Sequence, residues 1–316
     1  MNSGLNVKQR LTMELQESID IDFQRYKSSV VTKDKLLQEQ LFYYINWRRR
    51  FFKEIPRKVF ISKELKFNPH YKNRAYKKGI DKIINKFEKG ENLTPFLSKQ
   101  TVFNPYKENS TSKDTDKDNF LNSFNIHHVH IDSRYEDNLT SNVRFVKRNN
   151  ELLFLMIYKE NVYLIDIDEH NFGNTDLIKI IANNWPFIIE PFEMKGILGL
   201  SNESLASENV SKLIQHGINT SVKINNKYYA FSQITTSGHN RTTHHIVREF
   251  IKGFDEICVQ VSIQNVPCKL VIKEGLLYLV DPHSNNTLMV TDNGQGIQPF
   301  SSIYCDKKHS SYNFNS

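Results

Sequence analysis

The sequence predicts a multidomain α+β protein: a helical, basic module at the N-terminus, an antiparallel sheet in the centre, and a separate α+β domain at the C-terminus. Three observations carry that reading. The chain has 316 residues, about twice the usual size of one domain. Apolar residues recur at helical spacing before residue 103 and in strand-like runs after 119, with the polar, unpatterned stretch 104–118 between them. Charge is segregated as well: residues 47–89 hold 15 basic and 4 acidic side chains, whereas residues 1–46 hold 6 of each.

The elements follow in order. Residues 5–46 have helical spacing and end in the aromatic cluster LFYYINW. Pro56 breaks the basic run WRRRFFKEIPRK, after which KVFIS reads as a short strand. Ile80, Ile83, Ile84 and Phe87 place a helix at about 71–90 with a lysine-rich outer face and Gly90 as its stop. Residues 104–118 read as a linker. Beyond it IHHVHID, NVRFVKR, ELLFLMIY and NVYLIDID read as consecutive strands, the last two joined by a tight turn at KEN. TDLIKIIANNW makes a helix with Thr175 as N-cap, stopped by Pro186. In the C-terminal part a helix over 204–215 ends at Gly217, and the strands TSVKI and YYAFSQI follow. A loop TTSGHNR then leads into the helix TTHHIVREFIKGF, and ICVQVSI, KLVIK, LLYLVD and TLMV read as strands. The expected domains are therefore 1–103, 119–192 and 197–316.

Composition narrows the class. With 39% hydrophobic and 12% aromatic residues the chain is globular rather than disordered. No apolar run reaches the length of a membrane span, and MNSGLNVKQRLTMEL lacks the apolar core of a signal peptide. Cys258, Cys268 and Cys305 are odd in number and lack zinc-ligand spacing, which fits a reducing, cytoplasmic setting. No cofactor is expected. One basic block on a mildly acidic body points to a polyanion, RNA or other nucleic acid before a membrane surface.

Within that block Arg48, Arg49, Arg50, Arg57 and Lys58 are the candidates for neutralising phosphates, and Trp47, Phe51 or Phe52 for stacking on unpaired bases. Arg148 is a further candidate contact. A second candidate lies in TTSGHNR, where Ser237, Gly238, His239 and Arg241 precede a helix N-terminus whose amides favour an anion. It lacks the glycine and Gly-Lys-Ser/Thr pattern of a nucleotide-hydrolysing loop.

The run FNIHHVHID raises a separate question. On a strand His128 and His130 share one face, while His127, Val129 and Ile131 share the other. Three chemistries fit: histidines hydrogen-bonded within a half-buried strand, acid/base or phosphate-binding groups, or a metal site of His128, His130 and His170. The intervening segment brings Arg144 and Arg148 within reach of such a face.

Residues 143–170, VRFVKRNNELLFLMIYKENVYLIDIDEH, resemble the central hairpin of the RelE/HigB-like ribonuclease toxins: a basic strand, a hydrophobic strand, a tight turn, and a strand ending in an acidic residue close to His. The resemblance covers about 119–190. It implies metal-independent RNA cleavage by attack of the ribose 2′-hydroxyl on the adjacent phosphate, in a toxin or phage-defence factor with a cognate inhibitor protein. His170 matches the terminal His of the pattern and Arg144 its basic residue; His128 and His130 enter on their chemistry alone. Where the family commonly carries Arg at the start of the hydrophobic strand, this chain has Glu151, Leu152 and Leu153. The alternatives are a non-catalytic nucleic-acid- or partner-binding protein with a RelE-like fold, and a sensor of a phosphorylated ligand.

Overall fold

The computed structural model describes residues 6–25, 36–99, 118–138, 143–169, 174–197, 207–236, 238–264, 268–273, 276–280, 287–289, 291–292 and 296–297. It is an α+β protein, with ten α-helices among the described residues. The chain falls into two compact units: Arg49–Val102 with Asn109–Arg241, and Met1–Arg48 with Phe103–Glu108 and Thr242–Ser316. This partition differs from the one read off the sequence.

The first of these units is built on a four-stranded sheet of order β1–β4–β3–β2: β1 Val59–Ile61, β2 Ile126–His130, β3 Leu152–Tyr158 and β4 Asn161–Asp168. Strands β2, β3 and β4 are antiparallel, but β1 runs parallel to β4 with Phe60 opposite Tyr163, so the sheet is mixed. The N-terminal KVFIS segment thus belongs to the central sheet. Val162 N donates to the Lys58 carbonyl and Ser62 N to that of Leu164, which fixes its register. The β3–β4 turn is Lys159-Glu160, with φ of 47° and 66°, the left-handed pair that suits the twist of a two-residue hairpin.

Residues 143–148, the described part of NVRFVKR, form no strand; Val146 makes a bridge to Tyr135, and its amide donates to the Pro95 carbonyl. Strand β2 therefore pairs directly with β3. On one face of the sheet Ile126, Leu152, Phe154, Met156, Tyr163 and Ile165 share a core with α6 (Asn119–Phe124), α7 (Asp176–Asn184), α8 (Pro186–Ile189) and α9 (Ser207–Gln215). The same core takes in Val222 and Ile224 of β5 (Val222–Ile224) and Tyr229 of β6 (Lys227–Tyr229), which is why these segments join the central unit rather than a C-terminal domain. Thr175 stands at the N-cap of α7, yet it is the Asn174 side chain that accepts from Asp176 N.

On the other face lies α5 (Arg74–Lys89), reached through α3 (Lys63–Phe67) and α4 (Pro69–Lys72). Each of the three begins on a side-chain cap: Ser62 accepts from Leu65 N, Asn68 from His70 N, and Asn73 from Ala75 N. Helix α5 buries Ile80, Ile83 and Phe87 and ends at Gly90, φ 69°, as its sequence predicts. It approaches the strand so closely that a Cβ on Gly79 would lie 1.6 Å from the Ile131 carbonyl oxygen.

The second unit joins the two ends of the chain. Helix α1 (Val7–Arg25) lies along β7 (Lys269–Lys273), an edge strand of a three-stranded sheet with β8 (Leu276–Val280) and β9 (Thr287–Met289). Arg10 donates to the Cys268 carbonyl, Glu14 accepts from Leu270 N, and Ser18 both donates to the Ile272 carbonyl and accepts from Ile272 N. Four residues of helix advance about 6 Å and two of strand about 6.7 Å, so one helix face can serve alternate residues of a strand edge. Helix α2 (Leu37–Arg48) adds Tyr44 and Trp47, which pack with Phe23 at ring distances of 5.5 and 4.9 Å.

ICVQVSI is not a strand. Helix α10 runs unbroken over Arg241–Gln264, burying Val247, Phe250, Phe254, Ile257 and Val261 at spacings of three and four while Val259 and Ile263 stay exposed. The helical period overrides the β-propensity of the individual residues. Cys258 and Cys268 are buried free thiols, both pushed up by burial, and Cys305 lies outside the described residues. No described helix is long and apolar enough to cross a membrane.

Candidate nucleic-acid interface

Most of the expected arginine cluster is committed to packing. Trp47 is fully buried against Phe23 and Tyr44, so it presents no face for a base. Phe52 is buried against Phe87 and His127, while Phe51 is half-buried. Arg48 stands 4.0 Å from Asp22, whose carboxylate also accepts from the Tyr44 hydroxyl. Arg49 donates to Asn125 Oδ1 at 3.1 Å, and burial pulls its guanidinium down to about 10. Arg50 and Arg57 are buried, and burial lowers the Arg57 guanidinium too. Trp47 and Arg48 are thus taken up by packing within one unit, and Arg49, Arg50, Phe52 and Arg57 within the other. Lys58 is the exception and is exposed.

The exposed cations lie further along. Residues 58–78 hold seven basic side chains and one acidic one, Glu64, which accepts from Asn184. Lys63, Lys66, Lys72, Arg74 and Lys78 are exposed, and the capped helices α3, α4 and α5 fix their backbone. Aromatic rings sit between them: Lys72 lies 5.7 Å from the Phe67 ring and Lys77 4.7 Å from that of Tyr71. The track continues on α5, where Lys82 stands 4.0 Å over Tyr135 and Arg144 approaches the same ring at 5.8 Å. The sequence signal for this surface is the lysine-rich outer face of the helix at 71–90, which the denser arginine triplet overshadows.

The histidines keep the alternation expected of a strand. His127 packs on Phe52, and His128 turns the other way toward Phe154. His130 is buried beside Leu152, and His128 Nδ1 lies 3.7 Å from Asp118 Oδ2 at the cap of α6. His127 is driven down to about 3, chiefly by burial and then by Arg49 and His128. Arg144 is exposed, donates to the Glu136 carbonyl and belongs to the Tyr135 surface; it stands on no strand beside the histidines. Arg148 is also exposed. His170 lies outside the described residues. Among the described residues no group of three or more His, Cys, Asp or Glu converges on a metal position.

At the expected anion site two of the backbone donors are used within the loop. Gly238 N donates to the Thr235 carbonyl, Arg241 N to that of Gln233, and the His239 carbonyl accepts from Thr235 N. Asn122 donates to the Gly238 carbonyl and Asn240 returns a bond to the Asn122 carbonyl, tying the loop to α6. His239 is buried and Arg241 exposed, whereas Ser237 lies outside the described residues.

No family model, curated protein or solved structure matches the chain. The likeness of residues 119–190 to the RelE/HigB-like toxins accordingly rests on the motifs of the sequence.

Proposed function

We propose that the chain binds nucleic acid through the exposed track running from Lys58 over α3 and α4 to the outer face of α5. One observation carries this reading: the basic residues of 63–78 project from α3, α4 and the first turns of α5, whose N-termini are pinned by side-chain caps, with rings interleaved and a single acid, Glu64, among them. Pre-positioned cations lose little entropy on meeting a phosphate chain, and each contact releases condensed counterions. The proposal concerns binding and assigns the track no chemistry.

Labelled RNA titrated against the protein by fluorescence anisotropy, at several salt concentrations, tests it. Replacing Lys66, Lys72, Arg74 and Lys78 by Gln weakens binding and flattens the dependence of log K on log salt, by about 0.7 for each single-strand phosphate that is no longer neutralised. Unchanged affinity and slope overturn the proposal.

A second reading, RNA cleavage in the manner of the toxins, is favoured by the Asp118–His128 pair, since a carboxylate beside an imidazole is a pairing that acid/base chemistry uses. The same labelled RNA reports it. Cleavage that survives chelator and disappears in His128→Ala supports this reading, and intact RNA at binding saturation excludes it.

A further inference from the structure

At the open edge of the central sheet, on the face turned away from α5, a connected set of rings reaches the surface. Phe60 of β1 lies parallel to Tyr163 of β4, at 5.2 Å and 13°, so one side of its ring is covered while the residue remains 40% exposed. Tyr163 in turn meets Phe187 at 6.1 Å, and Phe187, 46% exposed, meets Tyr158 at 6.0 Å. Lysines frame the set. Lys58 immediately precedes β1 and is exposed, and the period-two alternation that continues back from Phe60 assigns it to the same face. Lys159 rises from the β3–β4 turn with its ammonium 5.5 Å from the Tyr158 ring. The acidic neighbour in that turn, Glu160, acts on Arg57.

Two outward phenyl rings, Phe60 on the β1 edge strand and Phe187 on the short helix α8, are costly to leave in water. Their setting selects the cover. An apolar protein surface would have to desolvate Lys58 and Lys159 without replacing their hydration, whereas a strand of nucleotides offers a π-face to each ring and a phosphate to each ammonium. A duplex keeps its bases stacked inside and cannot supply the first half of that exchange. We infer that Phe60 and Phe187 form a stacking platform for unpaired bases, flanked by Lys58 and Lys159 as phosphate contacts, so that the chain's ligand is single-stranded nucleic acid. The inference rests on the nucleic-acid reading above and gives it a strand preference; it also moves the stacking role from Trp47, Phe51 or Phe52, where the sequence alone puts it, to a different pair of rings.

The test compares a labelled oligouridine with a duplex RNA of equal length, by anisotropy on the full chain. Wild type binds the single strand more tightly. The double variant Phe60→Leu/Phe187→Leu keeps apolar cover over Tyr163 but removes the rings, and it lowers single-strand affinity about tenfold or more while leaving duplex affinity unchanged. Near-ultraviolet circular dichroism checks that the fold persists, and Phe60→Trp/Phe187→Trp restores the preference. If the leucine variant retains the full preference, the platform is wrong although nucleic-acid binding stands. If wild type binds neither RNA, the underlying reading fails first. Should sedimentation show a wild-type dimer that the leucine variant cannot form, a second copy of the chain is the occupant and the inference is overturned.

Discussion

His127 holds its imidazole in the interior against Phe52, with the Arg49 guanidinium among its electrostatic neighbours. Both facts penalise a proton, and the group titrates at about 3 instead of 6.5. Between those values the unfolded chain carries the proton and the folded chain does not, so stability rises with pH across the window and is lost as pH falls from 6.5 toward 3. Each unit of acidification below 6.5 costs about 1.4 kcal/mol until the folded group itself protonates. Urea midpoints measured at pH 7, 5.5 and 4.5 are expected to fall for wild type and to fall less for His127→Gln; parallel declines would refute it. In the sequence, three histidines in apolar company invite one chemical explanation for all of them. Alternation correctly separates His127 from His128 and His130, but the burial of His127 depends on Phe52, Phe87 and α5, and the sequence does not show where those pack. The arginines of 48–50 mislead for the same reason: their charge is legible, while Asp22 and Asn125, which receive two of them, lie 26 and 76 residues away.

Among the elements, α5 is legible at its C-terminal end because two signals coincide, an apolar stripe at 80, 83 and 87 and a left-handed glycine at 90, whereas its start falls at Arg74 behind the Asn73 cap and not at residue 71. The 257–263 segment reads as a strand because its valines and isoleucines favour β locally, and only the continuity of the stripe from Val247 to Val261 betrays the helix. Gly79 belongs to neither pattern. On an isolated helix alanine would stabilise that position by about 1 kcal/mol. Here the added carbon meets the Ile131 carbonyl, and Gly79→Ala is expected to push α5 off the sheet and cost about 1–3 kcal/mol. Urea denaturation reads the sign directly, and a stabilised variant would show that the helix has room to slide.

In the molecule as a whole, packing takes little account of chain order. A strand that the sequence places in the N-terminal module completes the central sheet, and helix α9 with its hairpin joins that sheet's core. The linker 104–118 marks a compositional boundary in the sequence, but the units are set by partners far apart in the chain. Ser18 tests that arrangement. Its hydroxyl serves both backbone groups of Ile272, at 2.9 and 2.8 Å, so Ser18→Ala should cost about 1–3 kcal/mol. The variant should also lose hydrogen-exchange protection at the Ile272 amide while the amides of β3 and β4 keep theirs; unchanged protection would mean that the amide owes nothing to Ser18. The same contact has a temporal side. Ser18 leaves the ribosome 254 residues before the strand it serves. At about 5–20 residues per second, the nascent helix waits roughly 13–50 s for its partner. Until β7 is made, the apolar side of the helix, Leu11, Leu15 and Ile19, lacks part of its final cover, so the order of synthesis leaves this unit to be completed last.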